Sequence, residues 1–330
     1  MAETRFHVLG IGNAIVDVVA YADDEFLVKH GLDKGRMTLI DADRTKALYG
    51  AMAPAGESSG GSAANTVASL ASLGLACAFV GKVHDDQWGA VFRHDIRTLG
   101  VAFDTLLSRG GAPTARCLIF VTPDAQRTMQ TFLGACVELG PGDVHENEIA
   151  AAEITYLEGY LWDPPGAKQA FVKAAGLAHA AGRRVALSLS DPLCVARHRE
   201  DFLDLVNDHV DILFANEAEI TTLYRVDEFD TALQSVRGHC AIAALTRSEQ
   251  GSVVVSGDQV HVVDAHVPAR LVDTTGAGDA YAAGFLFGVV QGRDLHDCAH
   301  LGGVAAAEVI GHFGARPEIP LKQVIAEKDR

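Results

Sequence analysis

Basic charge is in short supply. The 330-residue chain carries 27 Lys and Arg against 43 Asp and Glu, a formal net charge of −16. Binding a nucleic-acid backbone needs a basic face that this balance does not suggest, so nucleic acid is not an expected partner and any phosphate site must be local. The six cysteines, Cys77, Cys117, Cys136, Cys194, Cys240 and Cys298, include no CxxC pair. That spacing argues against a zinc site or a disulfide framework and for reduced thiols in the cytoplasm. No run of ~18 uncharged apolar residues occurs, and the opening MAETRFHVLG lacks a basic region followed by a long apolar one, so neither export nor membrane insertion is expected. The P-loop pattern GxxxxGK[ST] is missing, since Val83 follows Gly81-Lys82 and Ala76 stands where the first glycine belongs. The HRD and DFG sets of protein kinases are missing too.

What is present is an ordinary globular balance, 48% hydrophobic and 21% charged. Short Val- and Ile-rich runs alternate with stretches of helical periodicity, the pattern of parallel strands joined by crossover helices, so an α/β layered core is expected. Strands are predicted over His7–Ile11, Ala76–Gly81, Ile154–Leu157, Val185–Leu189, Asp211–Ala215 and Cys240–Leu245. Helices are predicted over Ser62–Leu73, Ala167–Ala181 and Asp279–Val290. No repeat or low-complexity linker divides residues 1–330, which read as a single domain. Two segments break the alternation: 17–41, ending in MTLI, and 111–134, where ARCLIFV and RTMQTFL flank the turn TPDAQ as in a hairpin. Together they predict a small discontinuous sheet placed to cover a site beyond the carboxyl ends of the main strands.

The stretch DTTGAGDAYAAG, Asp273 to Gly284, carries the sharpest chemistry. Gly276, Ala277 and Gly278 are successive small residues entering a helix, where free N–H groups and the helix dipole favour an anion. Asp279 beside them reads either as a helix cap or as a general base that takes a proton from a hydroxyl while those amides hold the phosphoryl group it attacks. Phosphoryl transfer needs that combination. GESSGGSAANTVASLASLG, Gly56 to Gly74, reads as a glycine-rich loop opening a helix capped by Ser62 and closed by Gly74, with Gly60 and Gly61 allowing close approach and Asn65 offering a donor and an acceptor. GIGNAIVD places Asn13 and Asp17 just past a strand end, where they read as a plain turn or as ligands of hydroxyl groups. Ile15 at the third glycine position weakens a dinucleotide fingerprint there.

Taken together, GIGNAIVD, GGSAAN, FANEAE, DTTGAGD and VIGHFGARP resemble the ribokinase-like, or PfkB, family of carbohydrate and nucleoside kinases over nearly the whole chain. The resemblance implies a central, mostly parallel sheet between helices with a small β lid, Asp279 as base, and an anion hole at Gly276, Ala277 and Gly278. It implies that Asn13, Asp17, Gly61 and Asn65 hold the substrate's sugar hydroxyls. Asn216 and Glu219 stand at the family's NxxE motif, which serves Mg2+ and phosphate through water and which reads otherwise as a helix capping box. Thr246 and Gly251 border the nucleotide, although Arg247-Ser248 departs from the commoner small pair. Asp273 and Thr275, with the loop around Gly314, resemble a monovalent-cation site for K+. Arg127 resembles the lid arginine of adenosine kinases, with Gln126 in place of an acidic neighbour, and GGSAAN leans the same way. The expected activity is ATP-dependent phosphorylation of the 5′-hydroxyl of a nucleoside, adenosine first, by a monomer or homodimer. The alternatives are a kinase of ribose, fructose or a related sugar, a non-catalytic nucleotide- or sugar-binding regulator, and, disfavoured by Ile15, a nicotinamide dehydrogenase.

Overall fold

The computed structural model describes residues 3–328 except 54 and 125. In chain order its strands are β1 (Phe6–Ile11), β2 (Ile15–Tyr21), β3 (Met37–Leu39), β4 (Gly56–Gly60), β5 (Cys77–Val80), β6 (Val101–Ala102), β7 (Ala115–Val121), β8 (Arg127–Phe132), β9 (Ala152–Glu158), β10 (Arg184–Ser188), β11 (Ile212–Asn216), β12 (Ile242–Thr246), β13 (Ser252–Ser256) and β14 (Gln259–Val263). The Val- and Ile-rich runs pair into a nine-stranded sheet of order β14-β13-β12-β11-β10-β9-β1-β5-β6. It is parallel from β12 through β6, with an antiparallel edge at β13 and β14. Strands such as β5 and β9 are apolar and buried along almost their whole length because helices cover both faces. One apolar cluster joins the sheet to the helices Ser62–Ser72, Ala277–Val290 and Leu295–Val309, and a second joins its other face to Pro165–Ala180 and Arg199–His209.

Two of those helices approach closely because glycines face the contact. A Cβ added at Gly284 would lie 2.3 Å from the Leu301 carbonyl oxygen, and one at Gly302 would lie 2.8 Å from the Tyr281 carbonyl oxygen. The helix Ser62–Ser72, with nearly every residue from Ala63 to Leu70 buried, packs between Ala277–Val290 and strands β1 and β5. Its start differs from the expected one. Gly61, at φ 101°, is the cap, and Ser62 is the first helical residue, its hydroxyl turned to Asp279 instead.

The second sheet has five strands in the order β3-β8-β7-β2-β4. ARCLIFV and RTMQTFL pair antiparallel as β7 and β8, with Val121 opposite Arg127; Ala125 of the turn TPDAQ lies outside the described residues. β4 corrects the reading of GESSG as a loop, and it lies outside the segments 17–41 and 111–134. Glycine and serine give little intrinsic strand preference, but β4 pairs along β2 from Ile15↔Gly60 to Val19↔Gly56, and the partner strand supplies what the side chains do not. The same pairing disposes of the dinucleotide fingerprint, because GIGN leads from β1 into another strand and not into a helix.

Candidate active site

Gly276 is the N-cap of the helix Ala277–Val290, held at φ 76°, where a side chain would collide with Ala315. Asp279 is therefore the third residue of the first turn, not the cap. Its carboxylate accepts from Ser62 Oγ at 2.6 Å and from Asn65 Nδ2 at 3.2 Å. Burial pushes its pKa up to about 6; the bonds from Ser62 and Asn65 oppose the shift, the charge of Asp17 adds to it, and Arg316 counters it. An acid so placed is ionised near neutrality and still basic enough to accept a proton. Of the expected anion-binding amides, that of Ala277 donates to the Thr274 carbonyl at 3.2 Å.

At the end of β1 the side chain of Asn13, 3% exposed, donates from Nδ2 to Glu158 Oε1 at 2.7 Å. Its Oδ1 is buried without a partner among the described residues, the condition in which an acceptor invites a hydroxyl. Glu158, at the end of β9 and 1% exposed, also accepts from the backbone of Asn13 and of Ala63. Burial raises its pKa to about 7 against those donors. Gly12 is needed beside it, since a Cβ there would sit 2.3 Å from Glu158 Oε2. Gly61 has the same kind of necessity, a side chain meeting the Asn13 carbonyl oxygen at 2.1 Å. Asp17, on β2, has a pKa raised to about 6 by burial and held down in part by Arg316 and Arg127. The space for it comes from Gly60, where a Cβ would fall 2.3 Å from Asp17 Oδ2. Asn13, Asp17, Gly61, Asn65 and Asp279 thus lie in one connected region, and Glu158 joins it from a strand whose local sequence gave no signal.

Arg127 is not a solvated hairpin residue. Its Nη1 reaches Asp273 Oδ2 at 2.5 Å, with the two side chains 10% and 5% exposed, and ties the small sheet to the turn before the helix Ala277–Val290. The remaining partners of the Asp273 carboxylate are the N–H groups of Thr275, at 3.0 Å, and Gly314, at 3.1 Å. Asp273 and Thr275 are thus joined by a backbone bond, and the carboxylate is shared with the Gly314 N–H and the Arg127 guanidinium. Arg316, from the same late loop, donates to Asn65 Oδ1, Asp95 Oδ2 and Ser59 Oγ. Sequence reading passed over it.

Toward β11 and β12, Asn216 and Thr246 are register partners at the carboxyl ends of adjacent strands, where open α/β sheets bind ligands. Asn216 caps the helix Glu217–Tyr224, and Glu219, 4% exposed, answers with bonds to the Asn216 backbone N–H at 2.9 Å and Nδ2 at 2.7 Å. The capping box is real, and the two residues are joined by it. Burial raises Glu219 to about 7, and the charge of Asp191 adds to the rise. Glu219 and Asp191 bring two carboxylates to this end of the sheet, the ligand type that suits a hydrated Mg2+ held through its waters. Gly251, at φ 81°, is required by its turn, where a Cβ would lie 2.1 Å from the Val263 carbonyl oxygen. Arg247 is drawn aside by Glu217 and lies over the Phe229 ring.

A solved adenosine kinase from Sinorhizobium meliloti is 53% identical, with a TM-score of 0.91 over 98% of this chain and 100% of that one. A probable sugar kinase protein from Rhizobium etli CFN 42 is 49% identical, with a TM-score of 0.92 over 99% of both chains. The adenosine kinase of Saccharomyces cerevisiae is 27% identical over 341 aligned positions, 96% of this chain and 98% of the relative. Residues 39–322 match the pfkB family carbohydrate kinase model. With the layered sheet, the small second sheet and the acid at the glycine-rich helix start, the chain belongs to the pfkB family of carbohydrate kinases, phosphotransferases that act on an alcohol group of a nucleoside or sugar.

Proposed function

We propose that the chain transfers the γ-phosphate of ATP to the 5′-hydroxyl of a nucleoside, adenosine before others. The observation that carries the reading is the Asp279 carboxylate, held by Ser62 and Asn65 in the first turn of a helix that opens on Gly276. Asp279 accepts the hydroxyl proton as the oxygen–phosphorus bond forms, and the bond from the γ-phosphorus to the bridging oxygen breaks with its electrons leaving on ADP. The helix N-terminus stabilises the charge spread over the transferred group. Mg2+, when bound, neutralises phosphate charge, and Glu219 is the residue placed to hold it through water. Asn13 Oδ1 and Asp17 receive the sugar hydroxyls, and Gly61 keeps the backbone close to them.

The small sheet favours a nucleoside over a bare sugar. Strand register puts Val19, Ile119, Met129 and Met37 in one row across the sheet and Asp17, Cys117, Thr131 and Leu39 in the next. Asp17 and Arg127 belong to that same face, which is the one turned toward the core site. A polar sugar has no use for a row of aliphatic and thioether groups, whereas a flat base buries its faces there. The likeness to the Sinorhizobium meliloti adenosine kinase supports this reading, and that to the Rhizobium etli probable sugar kinase keeps a sugar acceptor as the second one.

Coupled measurement of ADP release with adenosine, inosine, cytidine, ribose and fructose separates the two. Adenosine is expected to give the highest kcat/KM, and a free sugar exceeding every nucleoside would overturn the nucleoside assignment. Asp279→Asn is expected to lower kcat by ~10² to 10⁴ with substrate binding retained. Turnover near that of the native protein would remove Asp279 from the reaction.

A further inference from the structure

Arg316 is only 18% exposed in its side chain, and its guanidinium is used on three elements at once. Nε donates to Asn65 Oδ1 at 3.1 Å on the helix Ser62–Ser72. Nη2 donates to Ser59 Oγ at 2.8 Å on β4, the edge strand of the small sheet. Nη1 donates to Asp95 Oδ2 at 3.0 Å on the helix Gln87–Thr98, and Ser59 donates to the same oxygen from its N–H at 2.8 Å and its hydroxyl at 2.5 Å.

A guanidinium has donors and no acceptor, so the atom of Asn65 that faces it must be the amide oxygen. The NH2 group is then turned the other way, toward Asp279 Oδ2 at 3.2 Å. Without that constraint only the bond to Asp279 sets the orientation of the amide, and its oxygen is left without the guanidinium that fixes it.

We propose that Arg316 is a positioning residue: by holding the Asn65 amide oxygen it aims the amide's donor at Asp279, and through Ser59 it joins that setting to the edge of the small sheet. The inference rests on Asp279 being the base. Its own content is that the acid is oriented from a loop 37 residues further on, by a side chain that reaches it only through Asn65. The charged and titratable groups that bear on Asp279 agree with this arrangement. Asp17 on β2 pushes its pKa up, and Arg316 pulls it down. Glu158 on β9, with Tyr156 and Tyr160, feels the charge of Asp279. Arg316 offsets the negative charge at Asp279, and it acts on Asp17 together with Arg127.

The test uses Arg316→Lys, Arg316→Gln, Asn65→Ala and the double variant Arg316→Lys with Asn65→Ala, assayed with ATP and the best acceptor across pH 5 to 8. A misaligned catalytic group costs on the order of 10²-fold. Arg316→Gln is therefore expected to lower kcat by roughly 10- to 100-fold with KM nearly unchanged, and to move the acid limb of kcat upward in pH. Arg316→Lys keeps the charge and loses the fork, so the limb stays close to its native position while part of the kcat loss remains. In the Asn65→Ala background the cost of Arg316→Lys is expected to vanish, because the two changes act on one contact. The proposal is overturned if the lysine change costs the same with and without Asn65, if KM rises in place of a fall in kcat, or if kcat per folded molecule and the acid limb are native while only the melting temperature drops. Should Arg316→Gln fail to fold, the lysine and double variants decide alone. Asp279→Asn, measured beside them, separates the two claims: full activity in that variant removes the base itself, whereas its inactivity together with a native Arg316→Gln removes only the role of Arg316.

Discussion

At the scale of single residues, Arg127 links the proposed lid to the chemistry. It rests on Asp273 in this arrangement, and a phosphoryl group arriving at the neighbouring turn offers it a second anion. A charge that acts on the transferring group is realised mainly in the transition state. Arg127→Ala is therefore expected to lower kcat on the order of 10²-fold while the KM for the acceptor moves only slightly, and Arg127→Lys to recover part of the loss. Steady-state kinetics of the two variants check this, and unchanged constants would leave Arg127 as a structural tie to Asp273. The residues that sequence made legible, Asp279, Gly276, Gly61 and Asn13, sit in short motifs whose neighbours already state their backbone geometry. Glu158 and Arg316 were illegible for the opposite reason. Glu158 meets Asn13 across 145 positions and Arg316 meets Asn65 across 251, so no local pattern announces either contact.

Among elements, the helix pair Ala277–Val290 and Leu295–Val309 is built on bare backbone contact. Gly284→Ala places a methyl group 2.3 Å from the Leu301 carbonyl oxygen and is expected to destabilise by roughly 1–3 kcal/mol. Gly176, exposed on the helix Pro165–Ala180 with open space at its Cβ, gives the contrasting case: Gly176→Ala is expected to stabilise by roughly 0.5–1 kcal/mol. Urea unfolding of both variants tests the contrast, and the same sign for both changes would contradict the packing argument. The parallel strands were readable because burial on both faces leaves short apolar runs, as in VAL of β10 and ILFA of β11. β4 was not, because Gly-Glu-Ser-Ser-Gly becomes a strand only by lying along β2. The hairpin of β13 and β14, SVVVS and QVHVV, has strand composition but forms an antiparallel edge that lies outside the alternation of strands and crossover helices.

Across the whole molecule, pH is expected to move stability and turnover in opposite directions. Asp17 and Asp279 near 6, with Glu158 and Glu219 near 7, all lie above their ordinary values of 3.8 and 4.5. Between about pH 4 and 7 the folded chain therefore holds more protons than the unfolded one, and its stability falls as pH rises through that window. His266, lowered by burial, acts the other way, as do the lowered carboxylates Asp124, Asp163 and Asp201 at the acid end of the window, while Glu148, raised by burial, adds to the four. The melting temperature of the ligand-free protein is expected to rise by a few degrees from pH 8 to pH 5.5, while kcat falls below about pH 6 as Asp279 takes up its proton. Calorimetry and initial rates over the same buffers check both, and a melting temperature that fell toward pH 5.5 would contradict the burial of these acids. The division of the chain between its two sheets has a further consequence. Every strand of the small sheet lies before residue 133, whereas the glycine-rich turn and Asp279 come after residue 272. The acid is nonetheless held by groups from the first stretch, Ser62 and Asn65, which reach it across 217 and 214 positions, so the two ends of the chain complete one site only when both have folded.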